Sequence, residues 1–186
     1  MSRYTPMEHA VTEILISIGE NPAREGLQDT PMRVAKAWRE WTSGYGVDVT
    51  RLFKEFKDGG ERYQEMVLVR SLPFYSHCEH HLAPFFGTAD IAYIPNGKIV
   101  GLSKLGRLLD AYAKRLQVQE RLTRQIVEAL VDNLQPLGAA CKISARHLCM
   151  ESRGLCKQGH ETVTTALDGV FLSDPAARSE FLASVR

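Results

Sequence analysis

An α+β fold is predicted for this 186-residue chain, because segments with strand character lie on both sides of a pair of helices. Residues 66–72 and 85–94 are rich in β-branched and apolar side chains, and the turn signal Pro95-Asn96-Gly97 follows them. Residues 139–150 and 162–171 have the same strand character. The predicted order is β-β-α-α-β-β. Such a sheet has unpaired edges that closure of several copies into a barrel would pair, so we expect a homo-oligomer.

The two central helices are predicted from apolar residues that recur at helical spacing. The first is expected to begin near Ser103, whose side chain can cap it, and to run to about Arg115. The second is expected to run from about Val118 to Leu134, and Pro136 stops it.

The sequence predicts a helical appendage over residues 1–60 and a main, catalytic domain over residues 61–186. We expect the two to form one continuous functional unit. Thr5 and Glu8 have the spacing of a capping box, and a proline follows Thr5 directly. A second helix is expected to begin at Asp29-Thr30-Pro31.

Composition and charge exclude several classes of protein. Lys and Arg total 23 against 22 Asp and Glu, so the net charge of +1 predicts no broad attraction to nucleic acid or to a membrane surface. No apolar run reaches the roughly 18 residues that a membrane-spanning helix needs. The N-terminal segment lacks the clean apolar core of a secretory signal. We therefore expect a cytoplasmic protein whose four cysteines are not a disulfide scaffold.

Two short segments concentrate the residue types that zinc favours. Cys78-Glu79-His80-His81 contains one thiol and two imidazoles, and His147-Leu148-Cys149 adds one of each. Cys78 and His81 are three residues apart at a predicted turn and can chelate one ion. The predicted third ligand is Cys149.

Three protein ligands leave a fourth position of zinc open, which is typical of a catalytic site that holds an activated water. In a strand, His147 and Cys149 share a face, so the metal could bind at Cys149 with the imidazole beside it. His80 and His147 would then be free for proton transfer. Two alternatives stay open, a closed structural site of two Cys and two His, and a set of unrelated core cysteines and surface histidines.

Several cations lie where an anion could bind. Lys104 and Arg107 are in the first turns of a helix, where backbone N–H groups and the helix dipole suit a phosphate. Arg153 follows the third strand, and Arg33 lies in a first helical turn, where a cation opposes the dipole. Each alone is more simply a solvated surface charge. Together with a metal site they predict a triphosphate pocket.

Glu120 is the candidate for recognition of a base. A carboxylate can accept paired hydrogen bonds from the N–H and amino group of guanine. The alternative is a helix-start Glu that interacts with the helix dipole.

Five motifs, found in this order, make the chain similar to the GTP cyclohydrolase I family. They are His-Cys-Glu-His-His (77–81), Gly-Leu-Ser-Lys (101–104), Gln-Val-Gln-Glu-Arg (117–121), His-Leu-Cys-Met (147–150) and Arg-Gly (153–154). The similarity runs from about Asn21 to Phe171. The family's tunnelling fold agrees with the predicted element order.

The resemblance implies hydrolysis and ring rearrangement of GTP to 7,8-dihydroneopterin triphosphate with release of formate, the first step of folate-type, biopterin or deazaguanine biosynthesis. It assigns Zn²⁺ to the three ligands named above. It also implies that His147, supported by His80, moves protons at the purine, and that Ser103 takes part in the later rearrangement. Glu120, with Gln119 and adjacent backbone, would recognise guanine.

The same resemblance implies a toroidal homodecamer with its pockets at subunit interfaces. The triphosphate would be held by Lys104, Arg107, Arg153 and Arg33. Leu116 departs from the proline of many relatives, and residues 155–160 are divergent. Neither departure falls on a proposed ligand.

Two other functions stay open at this point. A zinc-stabilised GTP-binding scaffold would not need the spare imidazoles of His80 and His147. A nitrile reductase of the same fold uses a cysteine nucleophile without catalytic zinc, and the Cys-His cluster argues against it.

Overall fold

The structure is a computed structural model that describes residues 5–53, 55–56 and 62–185. The chain forms two compact units, Met1–Ser43 and Gly44–Arg186. The boundary predicted between residues 60 and 61 falls outside the described residues, and the division of function at that point stays a prediction. None of the helices in the described ranges combines the length and apolarity that crossing a bilayer requires.

The first unit contains two helices, α1 (Pro6–Ser17) and α2 (Thr30–Trp41). The predicted capping box begins α1: the N–H of Glu8 donates to Thr5 Oγ1 (3.4 Å), and the N–H of Thr5 donates to the Glu8 carboxylate (2.7 Å). The beginning of α2 at Thr30 agrees with the prediction from its Asp-Thr-Pro sequence.

A five-stranded sheet forms the centre of the second unit. Its strands are β2 (Val67–Cys78), β3 (Pro84–Ile94), β5 (Leu116–Gln117), β6 (Gly138–His147) and β7 (Thr162–Gly169). Their order across the sheet is β5-β2-β3-β6-β7, antiparallel except for the parallel β5–β2 pair. A short ribbon pairs β1 (Glu55–Phe56) with β4 (Ile99–Val100).

Helices cover both faces of this sheet, because alternate strand positions are apolar on both sides. On one face, α3 (Leu102–Ala113) and α4 (Gln119–Leu134) bury a cluster that includes Ile91 and Cys141. On the other, α6 (Val170–Ser173) and α7 (Pro175–Ser184) bury one that includes Ala92, Ala140 and Phe181. The α+β class is thus confirmed, and two strands, two helices and two strands follow one another as the main elements.

Four predicted element boundaries are wrong. β2 does not end at Leu72 but continues to Cys78 through a bulge, where Ser71 adopts a φ of +54° and its N–H donates to the Asp90 carboxylate (2.8 Å). The strand predicted over 139–150 ends at 147, and the one predicted over 162–171 ends at 169.

The fourth wrong boundary is the start of α3. Gly101 is the N-cap residue, and Ser103 lies inside the first turn without capping it. The N-cap residue is therefore two positions earlier than expected. Ser103 is left exposed at its N-terminal end.

Candidate metal centre

Three side chains with metal-binding atoms meet at one end of the sheet. The ligand atoms of Cys78, His81 and Cys149 all lie within 4.8 Å of one another. Cys78 is the last residue of β2, and His81 lies in the turn to β3. Both thiols are buried, whereas His81 is exposed. The predicted ligand set is therefore close enough for one ion.

Backbone hydrogen bonds shape the turn that carries two of these groups. The N–H of Cys78 donates to the carbonyl of Ala83 (2.8 Å), and the N–H of Leu82 donates back to the carbonyl of Cys78 (2.8 Å). The N–H of Glu79 donates to the carbonyl of Gln117 (3.0 Å), which attaches the turn to β5. The turn is thus closed by its own main chain at the end of β2 and attached to β5.

Cys149 reaches the centre from a helical turn, α5 (Leu148–Glu151). The prediction that His147 and Cys149 share a strand face is wrong, because β6 ends at His147. β6 ends there because its neighbour β3 cannot continue the hydrogen-bond ladder. His147 pairs with Phe85, and the β3 residue before Phe85 is Pro84, which has no N–H to donate.

The donors fit a zinc-type ion. Two thiols and one imidazole are ligands that zinc prefers, and zinc usually takes four ligands, so three leave room for one more. Burial raises the pKa of the Cys149 thiol, and the nearby Cys78 raises it further. A bound cation would counter both effects by stabilising the thiolates.

His147 lies beside these groups in a confined setting. Its ring stacks on Phe85, with 4.6 Å between centroids and 3° between planes, and its Nε2 lies 2.8 Å from Gln119 Oε1. Burial lowers the pKa of His147, Glu120 raises it and His160 lowers it further, for a net decrease. The imidazole is therefore neutral near pH 7 and can accept a proton.

A cavity of about 250 Å³ opens onto the centre. Seven of the predicted site residues line it, namely Cys78, His80, His81, Gln119, Glu120, His147 and Cys149. Sequence reasoning did not assign a role to the four others that line it, Gln117, Val118, Met150 and Thr162. Three of these four, Gln117, Val118 and Met150, lie within the motif segments 117–121 and 147–150, which were the available signal.

Three predicted residues on α3 do not line the cavity of their own chain. Ser103 and Arg107 are exposed, and Lys104 is half-buried. All three lie in the first two turns of one helix, so the structure keeps them together as a group.

The two remaining predicted cations have partners of their own. Arg33 lies in the first unit, where its Nη2 is 3.1 Å from the Asp29 carboxylate. Arg153 is exposed beside the metal centre, with Nη1 3.3 Å from Nε2 of His81. Arg153 thus contacts a member of the candidate centre within the second unit.

Sequence reasoning missed the role of Arg121. Its guanidinium donates to the Glu79 carboxylate, to Gln117 Oε1 (2.9 Å) and to the Leu116 carbonyl (3.2 Å). The hydrogen bond from Arg121 holds the pKa of Glu79 below its usual range. Glu79 lies within the turn between the ligands, so Arg121 fastens this turn to α4.

Comparison with known proteins decides the family. The model of the GTP cyclohydrolase I family matches residues 7–186. The chain belongs to the GTP cyclohydrolase I family. The resemblance stated from five motifs is thus confirmed over nearly the whole chain. It is accordingly an enzyme, a hydrolase, and GTP is the substrate of its family.

Similar proteins carry the same name. The chain is 58% identical over 173 residues to GTP cyclohydrolase 1 of Janthinobacterium sp. (strain Marseille), which covers 93% of this chain and 87% of that protein. It is 55% identical over 170 residues to GTP cyclohydrolase 1 of Nitrosospira multiformis, covering 91% and 89%. With GTP cyclohydrolase 1 of Leptospira biflexa the identity is 52% over 185 residues, covering 97% and 98%.

Proposed function

We propose that this protein hydrolyses and rearranges GTP to 7,8-dihydroneopterin triphosphate with release of formate, using a zinc ion. The single observation that carries the proposal is the meeting of Cys78, His81 and Cys149 beside a neutral imidazole in one cavity. Family membership supports the same reaction. The product would enter folate-type, biopterin or deazaguanine biosynthesis.

Cys78, His81 and Cys149 would hold the zinc ion. When bound there, zinc supplies Lewis-acid chemistry and lowers the pKa of a water molecule. The protein contributes the closely spaced ligands and the turn that Arg121 fastens.

His147 would accept and return a proton at the purine ring during ring opening. The imidazole is neutral near pH 7, so it can accept a proton and then donate it. Stacking on Phe85 fixes the plane of its ring. His80, which also lines the cavity, has a side chain that is 64% exposed. It would pass protons between the site and solvent.

Glu120 would recognise guanine. It is an exposed carboxylate on the cavity wall, in the first turn of α4. Its two oxygens can accept hydrogen bonds from the N–H and amino group of the base. Gln119 would contribute to the base site through its main chain, because its side-chain amide is bonded within the protein.

The triphosphate would be held by cations from more than one segment. Arg153 lies beside the centre, whereas Ser103, Lys104 and Arg107 do not line the cavity of their own chain. We propose that this α3 group is supplied by a second copy, and that Arg33 also contributes to the phosphate site. Ser103 would take part in the later rearrangement.

The assembly proposed is a toroidal decamer, in which tunnelling-fold subunits close their sheets into a barrel. The sheet supports this because β5 and β7 are at its two edges, and each has an outer side with no partner strand among the described residues. Closure would pair those edges and bring α3 of one copy toward the cavity of another.

The test is turnover of GTP by zinc-loaded protein of known metal content. We expect a pterin absorbance and formate to form together. Glu120→Ala should abolish measurable GTP binding without changing the zinc content, because it removes the carboxylate that pairs with the base.

The matched control is Glu128→Ala, which removes another exposed carboxylate of α4, one paired with Arg124. This variant should bind GTP like the unmodified protein. Zinc-loaded protein that binds GTP but forms neither product would refute the proposal and favour a GTP-binding scaffold.

A further inference from the structure

Gln119 is a buried glutamine whose side-chain amide has polar partners at both its nitrogen and its oxygen. The residue is 2% exposed. Its Nε2 lies 3.1 Å from the carbonyl of Ile143, 2.9 Å from the carbonyl of Thr162 and 3.1 Å from Thr164 Oγ1. Its Oε1 lies 2.8 Å from Nε2 of His147.

The two carbonyls decide which end of the amide is the nitrogen. A carbonyl oxygen only accepts hydrogen bonds, so the atom facing Ile143 and Thr162 must be a donor. Exchanging the two ends would place the amide oxygen against two carbonyl oxygens with no proton between them, which is costly. Oε1 therefore faces His147.

The direction of the next hydrogen bond follows. An amide oxygen has no proton to donate, so Nε2 of His147 must be the donor in the 2.8 Å contact. In a neutral imidazole one ring nitrogen is protonated and the other is a base. We propose that Gln119 is a positioning residue that fixes the proton of His147 on Nε2 and leaves Nδ1 as the basic atom of the ring.

The surroundings hold this arrangement in place. Phe85 stacks parallel to the imidazole and restricts rotation of its plane. Thr123 Oγ1 donates to the carbonyl of Gln119 (2.7 Å) and lies 2.6 Å from Thr164 Oγ1, so the glutamine is bonded at its main chain as well. The network joins α4, β6 and β7 and ends at one imidazole nitrogen.

The consequence for chemistry rests on the proposed function, in which His147 moves a proton. With Nε2 donating to Gln119, proton uptake by the neutral ring occurs at Nδ1, and the proton taken up there is the one returned. A glutamine at this position thus selects one of two possible basic atoms and prevents a mixture of tautomers.

The experiment is solid-state NMR of zinc-loaded protein labelled with ¹⁵N in its six histidines, at about pH 8, above the ordinary pKa of histidine. The His147 signals are those lost in a His147→Asn variant. We expect one tautomer, with a protonated Nε2 and a bare Nδ1. In Gln119→Leu the oxygen acceptor is gone, so we expect averaged nitrogen shifts from both tautomers and faster exchange of the ring N–H with water.

The matched control is Gln117→Leu. Gln117 is also a buried glutamine, but its Nε2 donates to the Tyr112 carbonyl and to Gln125 Oε1, and its Oε1 accepts from Arg121 rather than from the imidazole. His147 signals should be unchanged in this variant.

Two results would overturn the inference: a His147 in the unmodified protein that carries its proton on Nδ1 or shows both tautomers, or unchanged signals in Gln119→Leu. The unmodified protein decides the question even if Gln119→Leu does not fold. The measurement needs no turnover, so a single Nε2–H tautomer without pterin formation would refute the proposed function alone.

Discussion

At the scale of single residues, burial decides which titratable groups suit acid-base chemistry. His147 and Cys141 both lie in the second unit, and burial shifts each toward its neutral form. Cys141 is fully buried in the core, and burial raises the pKa of its thiol, so it acts as a small apolar residue. His147 faces the cavity, so the same effect gives a neutral imidazole within reach of a ligand.

His147→Ala tests this residue directly. We expect turnover of GTP to fall by about 10²- to 10⁴-fold, the usual contribution of a general acid-base group. Zinc content should stay unchanged, because His147 is outside the ligand set. The measurements are pterin absorbance and elemental analysis of the same sample. Near-normal turnover would remove His147 from the proton-transfer step.

At the scale of elements, the turn between β2 and β3 shows how a candidate metal centre is held in place by residues outside its ligand set. Glu79 lies between two ligands and is bonded through its main chain to Gln117 and through its carboxylate to Arg121. Because α4 carries Arg121, the position of the turn depends on the helix.

Arg121→Met should therefore weaken zinc binding by about 10- to 100-fold, the usual effect of losing a group that orients metal ligands. Competition with a chromogenic chelator measures it. The control is Arg124→Met, which removes an arginine of the same helix that pairs with Glu128. Equal zinc affinity of the two variants would mean that the turn holds its shape without Arg121.

The C-terminal helix α7 is an element whose contribution is to stability. Phe181 is fully buried against the sheet face opposite α3 and α4, whereas Leu182 is 40% exposed. Phe181→Ala should lower the free energy of unfolding by about 3–5 kcal/mol, because it removes apolar burial and leaves a cavity. Chemical denaturation measures this, and Leu182→Ala should cost much less. A loss below that of Leu182→Ala would contradict the packing.

At the scale of the whole molecule, the proposed phosphate-binding cations and the candidate metal centre belong to different parts of the second unit. Lys104 and Arg107 lie on α3, and neither lines the cavity that contains Cys149. The proposed reaction requires the cations of α3 and the metal centre to contact the same GTP molecule. A second copy that lends its α3 group would complete the site.

Mixed assemblies test that arrangement. Lys104→Ala and Cys149→Ser should each be inactive alone, but co-expressed they should regain activity, since about a quarter of the sites would combine intact residues from both chains if assembly is random. Turnover per assembly, purified with two affinity tags, is the measurement.

The control pairs Lys104→Ala with Arg107→Ala. Both changes lie on the same helix, so no site in that mixture has an intact α3 group, and activity should stay absent. If the first mixture is equally inactive, each site takes its phosphate group from its own chain.

The sequence predicted one part of the candidate site correctly and another part wrongly. Cys78, His81 and Cys149 were identified because their residue types carry the chemistry, and the structure brings them together. The strand argument that linked Cys149 to His147 was wrong, since it needed the position of Pro84 on a neighbouring strand. Periodicity describes one element and does not show where its partner ends.

The sequence by itself determined the α+β class, the three candidate ligands and the family resemblance, because periodicity and residue chemistry are local properties of the chain. Only the tertiary structure showed that Gln119 Oε1 faces the His147 ring and that Arg121 fastens the turn between β2 and β3 to α4. Those outcomes depend on hydrogen bonds between residues 24 to 45 positions apart, such as Gln119 with Ile143 and Thr164 and Arg121 with Glu79. The direction of one hydrogen bond depends on the donors and acceptors around both of its atoms. Those groups come from distant parts of the sequence and meet only in the folded chain.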